Sequence, residues 1–195
     1  EEYITEFKDE LNILEEGGYT VPKYTSDSPE GQAAGDTMKE YLKASITYKM
    51  KENVVVDKTL ISEWLSYDEN MNVTFDEDKV KEWMREFGKT YDTVGSTRTI
   101  TTPTGKTVNV SGGTYGWSVD EATEATALIE SIKKGEVIEK EPTYVQTAAT
   151  HDAQDWGSTY AEVDVTTQHM WYIVNGAVVL ETDVVTGKPT PDRVT

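Results

Sequence analysis

The chain contains no cysteine among its 195 residues, and only two histidines. Without a thiol it can form no disulfide, no thiolate-ligated zinc site and no cysteine nucleophile of its own. His151 and His169 have no His or Cys companions at ligand spacing, so the sequence offers no metal site and no cofactor signature. Basic residues are scarce as well: 18 Lys and Arg face 36 Asp and Glu, a formal charge of −18. Nucleic acid is disfavoured as a partner, because phosphate contacts need clustered cations to displace counterions. Contact with an anionic membrane surface is disfavoured for the same reason. No apolar run approaches the roughly 18 residues of a membrane span, and no signal-peptide pattern opens the chain. It begins at Glu1 without an initiator Met and stops at Thr195 in patterned sequence, which reads as a fragment or trimmed piece of a longer protein, any export signal or anchor having been removed or never present.

Helical and strand periods alternate along the first three quarters of the chain. Ile4, Phe7, Leu11 and Leu14 share a helix face, a Ser/Pro/Gly loop follows, and a short helix is expected near Asp36–Leu42. Strands are expected at Ser45–Met50 and Val54–Val56, and Asp57 reads as the cap of a helix burying Leu60, Ile61 and Trp64. Asp76 caps the next helix, with Phe75 and Val80 at the positions of a hydrophobic staple and Gly88 as its stop. Arg98 to Ser111 reads as a hairpin around Pro103-Thr104-Gly105-Lys106. Ser118 and Glu121 form a capping-box pattern ahead of a helix through Ala125, Leu128 and Ile132, ended by Lys133-Lys134-Gly135. Val137 to Thr147 reads as strand broken at Pro142.

The stretch from Thr147 to Gly157 is small, polar and unpatterned, and a domain boundary is expected there, giving units 1–147 and 148–195. Beyond it the period is two. Ala161, Val163 and Val165 alternate with Glu162 and Asp164, which places the two carboxylates on the solvent side. Two further strands flank Asn175-Gly176, a strong hairpin signal. The fold class is therefore α+β: a mixed helix-and-sheet domain, then the first strands of an incomplete all-β unit.

Three short motifs carry little. Asp68, Asn70 and Asn72 alternate like calcium-loop ligands, but Val73 and Lys79 stand where such a loop needs Gly and Glu. Ser131-Ile132-Lys133-Lys134 matches Ser-x-x-Lys, yet it closes a helix instead of opening one. Tyr115 and Trp117, in the Gly-rich loop Ser111–Trp117, are the candidate ligand-binding aromatics. Glycans and peptides dock on exposed rings, whereas an aromatic after Gly can equally pin its loop to the core.

The run from Thr159-Tyr160-Ala161-Glu162-Val163-Asp164-Val165 through Gln168-His169-Met170-Trp171-Tyr172, then Asn175-Gly176 and Thr186-Gly187-Lys188-Pro189, resembles the opening strands of a YkuD-type L,D-transpeptidase catalytic domain. Ser111-Gly112-Gly113-Thr114-Tyr115-Gly116-Trp117-Ser118-Val119 and the helix after it resemble the peptidoglycan-binding domain that precedes such domains in Gram-positive bacteria. The resemblance implies a cell-wall enzyme outside the cell, anchored to the membrane in its full-length form. Such an enzyme forms 3→3 peptidoglycan cross-links by cysteine acyl transfer. The family nucleophile lies in a Ser-His-Gly-Cys segment with another His upstream, and neither occurs here, so no catalytic residue carries over and the chain itself is expected to be inactive. The implied partner is peptidoglycan, through glycan or stem peptide, with no membrane contact by this stretch and dimers possible through exposed strand edges. The alternatives are a non-catalytic wall-binding module and a spacer.

Overall fold

A computed structural model describes residues 22–187. The helix expected at Ile4–Leu14 lies outside these residues, as does Lys188-Pro189.

The first helix, α1 (Pro29–Tyr41), is longer than its sequence suggested. Ser28 caps it, accepting from the Gly31 N–H at 3.1 Å, and Pro29 occupies the first helical position, where its missing N–H costs nothing. The Ser-Pro pair that read as loop is thus a start signal. Two strands follow, β1 (Ser45–Tyr48) and β2 (Val54–Val56), then α2 (Lys58–Trp64), whose first N–H groups are accepted by Asp57. A small hairpin, β3 (Leu65–Tyr67) with β4 (Val73–Phe75), leads into α3 (Glu77–Tyr91), capped by Asp76 as expected.

Gly88 does not stop α3. It lies inside the helix, buried, and a Cβ there would sit 2.7 Å from the Glu121 carboxylate, so its missing side chain gives the neighbouring helix room to approach. That neighbour is α4 (Glu121–Lys133), which packs on α3. Asp120, not Ser118, caps it, accepting from the Thr123 N–H at 3.0 Å. Ser118 is taken by β7 (Ser118–Val119), which lies between α4 and the hairpin β5 (Arg98–Thr101) and β6 (Thr107–Val110).

After α4 come β8 (Val137–Lys140) and β9 (Tyr144–Gln146), the two halves of the strand interrupted at Pro142. β1 is the centre of a three-stranded sheet, antiparallel to β2 and parallel to β8, with Ile46 opposite both Val56 and Ile138. Ile46, Tyr48 and Val56 project from this sheet into a core completed by Ile61 and Trp64 of α2, Val80, Met84 and Phe87 of α3, and Leu128 and Ile132 of α4. Each such side chain contributes about 1.5–3 kcal/mol by leaving water. Beneath them lies one buried carboxylate. Glu124, on the apolar stripe of α4, accepts from Tyr48 Oη, Lys140 Nζ, Thr143 N and Thr143 Oγ1 at 2.7–2.8 Å.

The C-terminal unit is an antiparallel sheet of β10 (Tyr160–Asp164), β11 (His169–Val174) and β12 (Ala177–Asp183), with β11 central and Asn175-Gly176 turning β11 into β12. A register shift at Tyr172/Ile173 bends the β11–β12 pair. The α+β class expected from sequence is the one observed.

Candidate functional site

Residues 147–159 connect the helical body to this sheet, and the Gly-rich loop 111–117 lies against them. Tyr115 keeps 44% of its surface exposed, but its hydroxyl is held: it accepts from Ala149 N–H at 2.9 Å and donates to the Asp155 carbonyl at 3.3 Å. Trp117 is buried. Its indole N–H donates to the Thr150 carbonyl at 2.7 Å, and its ring stacks on His151 with centroids 3.9 Å apart and planes at 11°, with Tyr144 beside it at 4.7 Å. Between the two, Gly116 adopts φ +143° and presses against the Thr93–Val94 backbone.

Asp155, 2% exposed, is the centre of this junction. Arg98, the first residue of β5, donates to it through Nε at 2.7 Å and Nη2 at 2.6 Å, and Thr93 Oγ1 donates at 2.6 Å. The Arg98 guanidinium also donates to the carbonyls of Thr93 and Tyr115. Burial alone would raise the Asp155 pKa, but the bonds from Arg98 and Thr93 outweigh it and hold the carboxyl below its ordinary value. The sign follows from linkage. A depressed folded-state pKa stabilises the protein above the ordinary carboxylate range, and that stability is lost as pH falls through the folded-state value.

The other candidates lie apart. His169 is on β11, its Nδ1 2.8 Å from an Asp183 oxygen, while His151 is on the Trp117 ring. Both carboxylate oxygens of Asp68 are bonded within its own turn, to the N–H groups of Asn70 and Asn72 and to the Asn72 amide, so the calcium-like pattern is a closed Asx turn. Among the described residues no group of three or more His, Asp or Glu is arranged to hold a metal ion.

On β10 the two faces are the reverse of the sequence reading. Tyr160, Glu162 and Asp164 are half-buried, while Ala161, Val163 and Val165 are exposed. Register explains it: Tyr160 and Glu162 stand opposite Ile173 and Trp171, the two buried residues of β11. Glu162 therefore has one buried carboxylate oxygen with no hydrogen-bond partner. Burial, and then the nearby Asp164, raise its pKa. A raised carboxyl pKa means the fold favours the protonated form, with the stabilisation complete below the ordinary carboxylate pKa and lost as pH rises through the folded-state value. Glu162→Gln is expected to raise stability at pH 7 by about 1 kcal/mol and to flatten its dependence between pH 4 and 7. Urea denaturation across that range checks this, and a variant less stable than the parent at pH 7 contradicts it.

Sequence reasoning missed Glu124 and Asp155. A carboxylate on the apolar stripe of α4, four residues before Leu128, was the available signal for the first. Nothing in the polar stretch 147–157 singled out the second.

Residues 24–139, more than half of the chain, match the family described as "Putative peptidoglycan binding domain", and the chain belongs to that family. In structure it is similar to two solved L,D-transpeptidase chains. One is the Ldtfm–avibactam carbamoyl enzyme, at 29% identity and TM-score 0.58, covering 81% of this chain. The other is a Cys→Ser mutant of the L,D-transpeptidase of Enterococcus faecium, at 30% identity and TM-score 0.57, covering 79%. This chain spans 62% of the length of each. No curated protein matches it. Peptidoglycan is accordingly the partner its family indicates, and the cell wall the setting. Among the described residues no helix is long and apolar enough to cross a membrane.

Proposed function

We propose that this chain is the peptidoglycan-binding part, with the opening catalytic strands, of a cell-wall L,D-transpeptidase that forms 3→3 cross-links by cysteine acyl transfer. The observation that carries the reading is the reach of the structural similarity: about four fifths of the chain, well beyond the family-matched segment. The sheet β10–β12 supports it. One face, bearing Val163, Tyr172 and Leu180, is exposed and apolar, as befits half of a sandwich. The nucleophile belongs to a part of the enzyme other than this cysteine-free chain. The complete enzyme works outside the cell and is held at the membrane.

The chain's role in this reading is to hold peptidoglycan through neutral glycan or stem peptide, with Tyr115 as the exposed ring and Trp117 beneath it securing the loop. Binding is then nearly independent of salt, since a charge of −18 repels anionic wall polymers. The test is co-sedimentation with purified peptidoglycan, with and without teichoic acid, at two salt concentrations, for the parent and Tyr115→Ala. Binding that survives teichoic acid removal and high salt, and weakens several-fold in Tyr115→Ala, supports the reading. Binding that requires teichoic acid refutes it, and no binding favours a spacer. The same preparation is expected to release no D-Ala from a tetrapeptide substrate. It is also expected to self-associate through the free β12 edge, as read by sedimentation velocity.

A further inference from the structure

The segment that leads from the helical body to the sheet β10–β12 is tied to the body by the buried Arg98–Asp155 pair. The Asp155 carbonyl extends it by accepting from the Ala149 and Thr150 N–H groups, which closes the connecting segment into a compact loop. Pro103 and Thr104, at the tip of the β5–β6 hairpin that Arg98 begins, face Trp171, Leu180 and Glu181 of the sheet across a shallow groove. The sheet side of the segment is fixed too: Gly176 N–H donates to the Ser158 carbonyl and Asn175 N–H to Thr159 Oγ1.

A flexible linker is rich in Gly and Ser and behaves as a random coil. This segment instead commits its polar groups to the body: an aspartate 2% exposed, the Thr150 carbonyl bonded to an indole, and an imidazole stacked on the same ring. We propose that residues 147–159, latched to the body by Arg98–Asp155 and bonded to the β11–β12 turn through Ser158 and Thr159, act as a rigid coupling that holds the sheet at one orientation to the peptidoglycan-binding body. The coupling stands on the geometry of this chain alone and does not depend on the transpeptidase reading. Where that reading holds, it fixes the distance between wall contact and chemistry.

The absence of cysteine makes the test clean. Ala122→Cys on α4 and Val163→Cys on β10, both exposed, accept spin labels without background. Double electron–electron resonance on the labelled chain is expected to give a single narrow distance distribution. Arg98→Met is expected to at least double its width while circular dichroism shows the helices intact, with Asp155→Asn acting in the same direction. A broad distribution in the otherwise unmutated chain overturns the proposal, even if Arg98→Met fails to fold. An unchanged narrow distribution in both folded variants overturns the latch.

Discussion

Glu124→Ala is expected to cost about 3–5 kcal/mol, enough to leave much of the helical body unfolded at ambient temperature. The carboxylate is wholly buried and receives four hydrogen bonds, from β1, from β8 and from Thr143 ahead of β9. Removing it strands the Tyr48 hydroxyl in the core and leaves the Lys140 ammonium, about three-quarters buried, without its partner. Tyr48 already reflects the environment: burial first, then the Glu124 charge, push its pKa far above the ordinary phenol value. Glu124→Gln keeps the shape but weakens the bonds to Lys140, and should cost roughly half as much. Urea denaturation followed by far-ultraviolet circular dichroism measures both. A loss below 1 kcal/mol for Glu124→Ala means that Lys140 and Tyr48 find water, and the site is not the sealed network described.

Gly116→Ala should cost about 3 kcal/mol and loosen the junction. At φ +143° an L-side chain is strained, and the added Cβ would lie 2.6 Å from Val94 N and 2.7 Å from the Thr93 carbonyl carbon. These are backbone atoms, unable to swing aside. The same Thr93–Val94 segment donates both its N–H groups to the Trp117 carbonyl, so a shift there moves Trp117 off His151. Gly113→Ala, with open space around it, is the control and should change stability by less than 0.5 kcal/mol. Thermal unfolding compares the two. Equal melting temperatures would mean that the 93–94 turn is free to yield.

Local chemistry made much of the helical body legible in the sequence. Asp57 and Asp76 cap the helices they were expected to cap, and Asn175-Gly176 makes its hairpin, because these signals act within a few residues. Errors arose where a distant partner decides. Gly88 read as a stop until α4 was packed across it, and Ser118 read as a cap until β9 claimed its strand. The faces of β10 were assigned by putting valines inside. In the folded chain the inner face is set by Trp171 and Ile173 across the register, and Glu162 is carried in with them. The aromatic loop was found, but not the division of labour within it. No spacing rule tells a half-exposed Tyr115 from a Trp117 stacked under a histidine 34 residues away.

The parallel pairing of β1 with β8 joins residues about 90 positions apart, Ile46 with Ile138, and everything between them must be in hand before that ladder closes. Such a contact carries a high loop-closure cost and slows folding. A chain emerging from its N-terminus would hold Ile46 and Tyr48 uncovered until residue 140 had appeared. Helices α1 to α3 then lack α4, against which α1 and α3 pack, and the sheet's central strand has only β2. The body should fold in a single late step, and a truncation anywhere before Lys140 should yield no folded intermediate, only an aggregation-prone precursor for chaperones or proteases to clear.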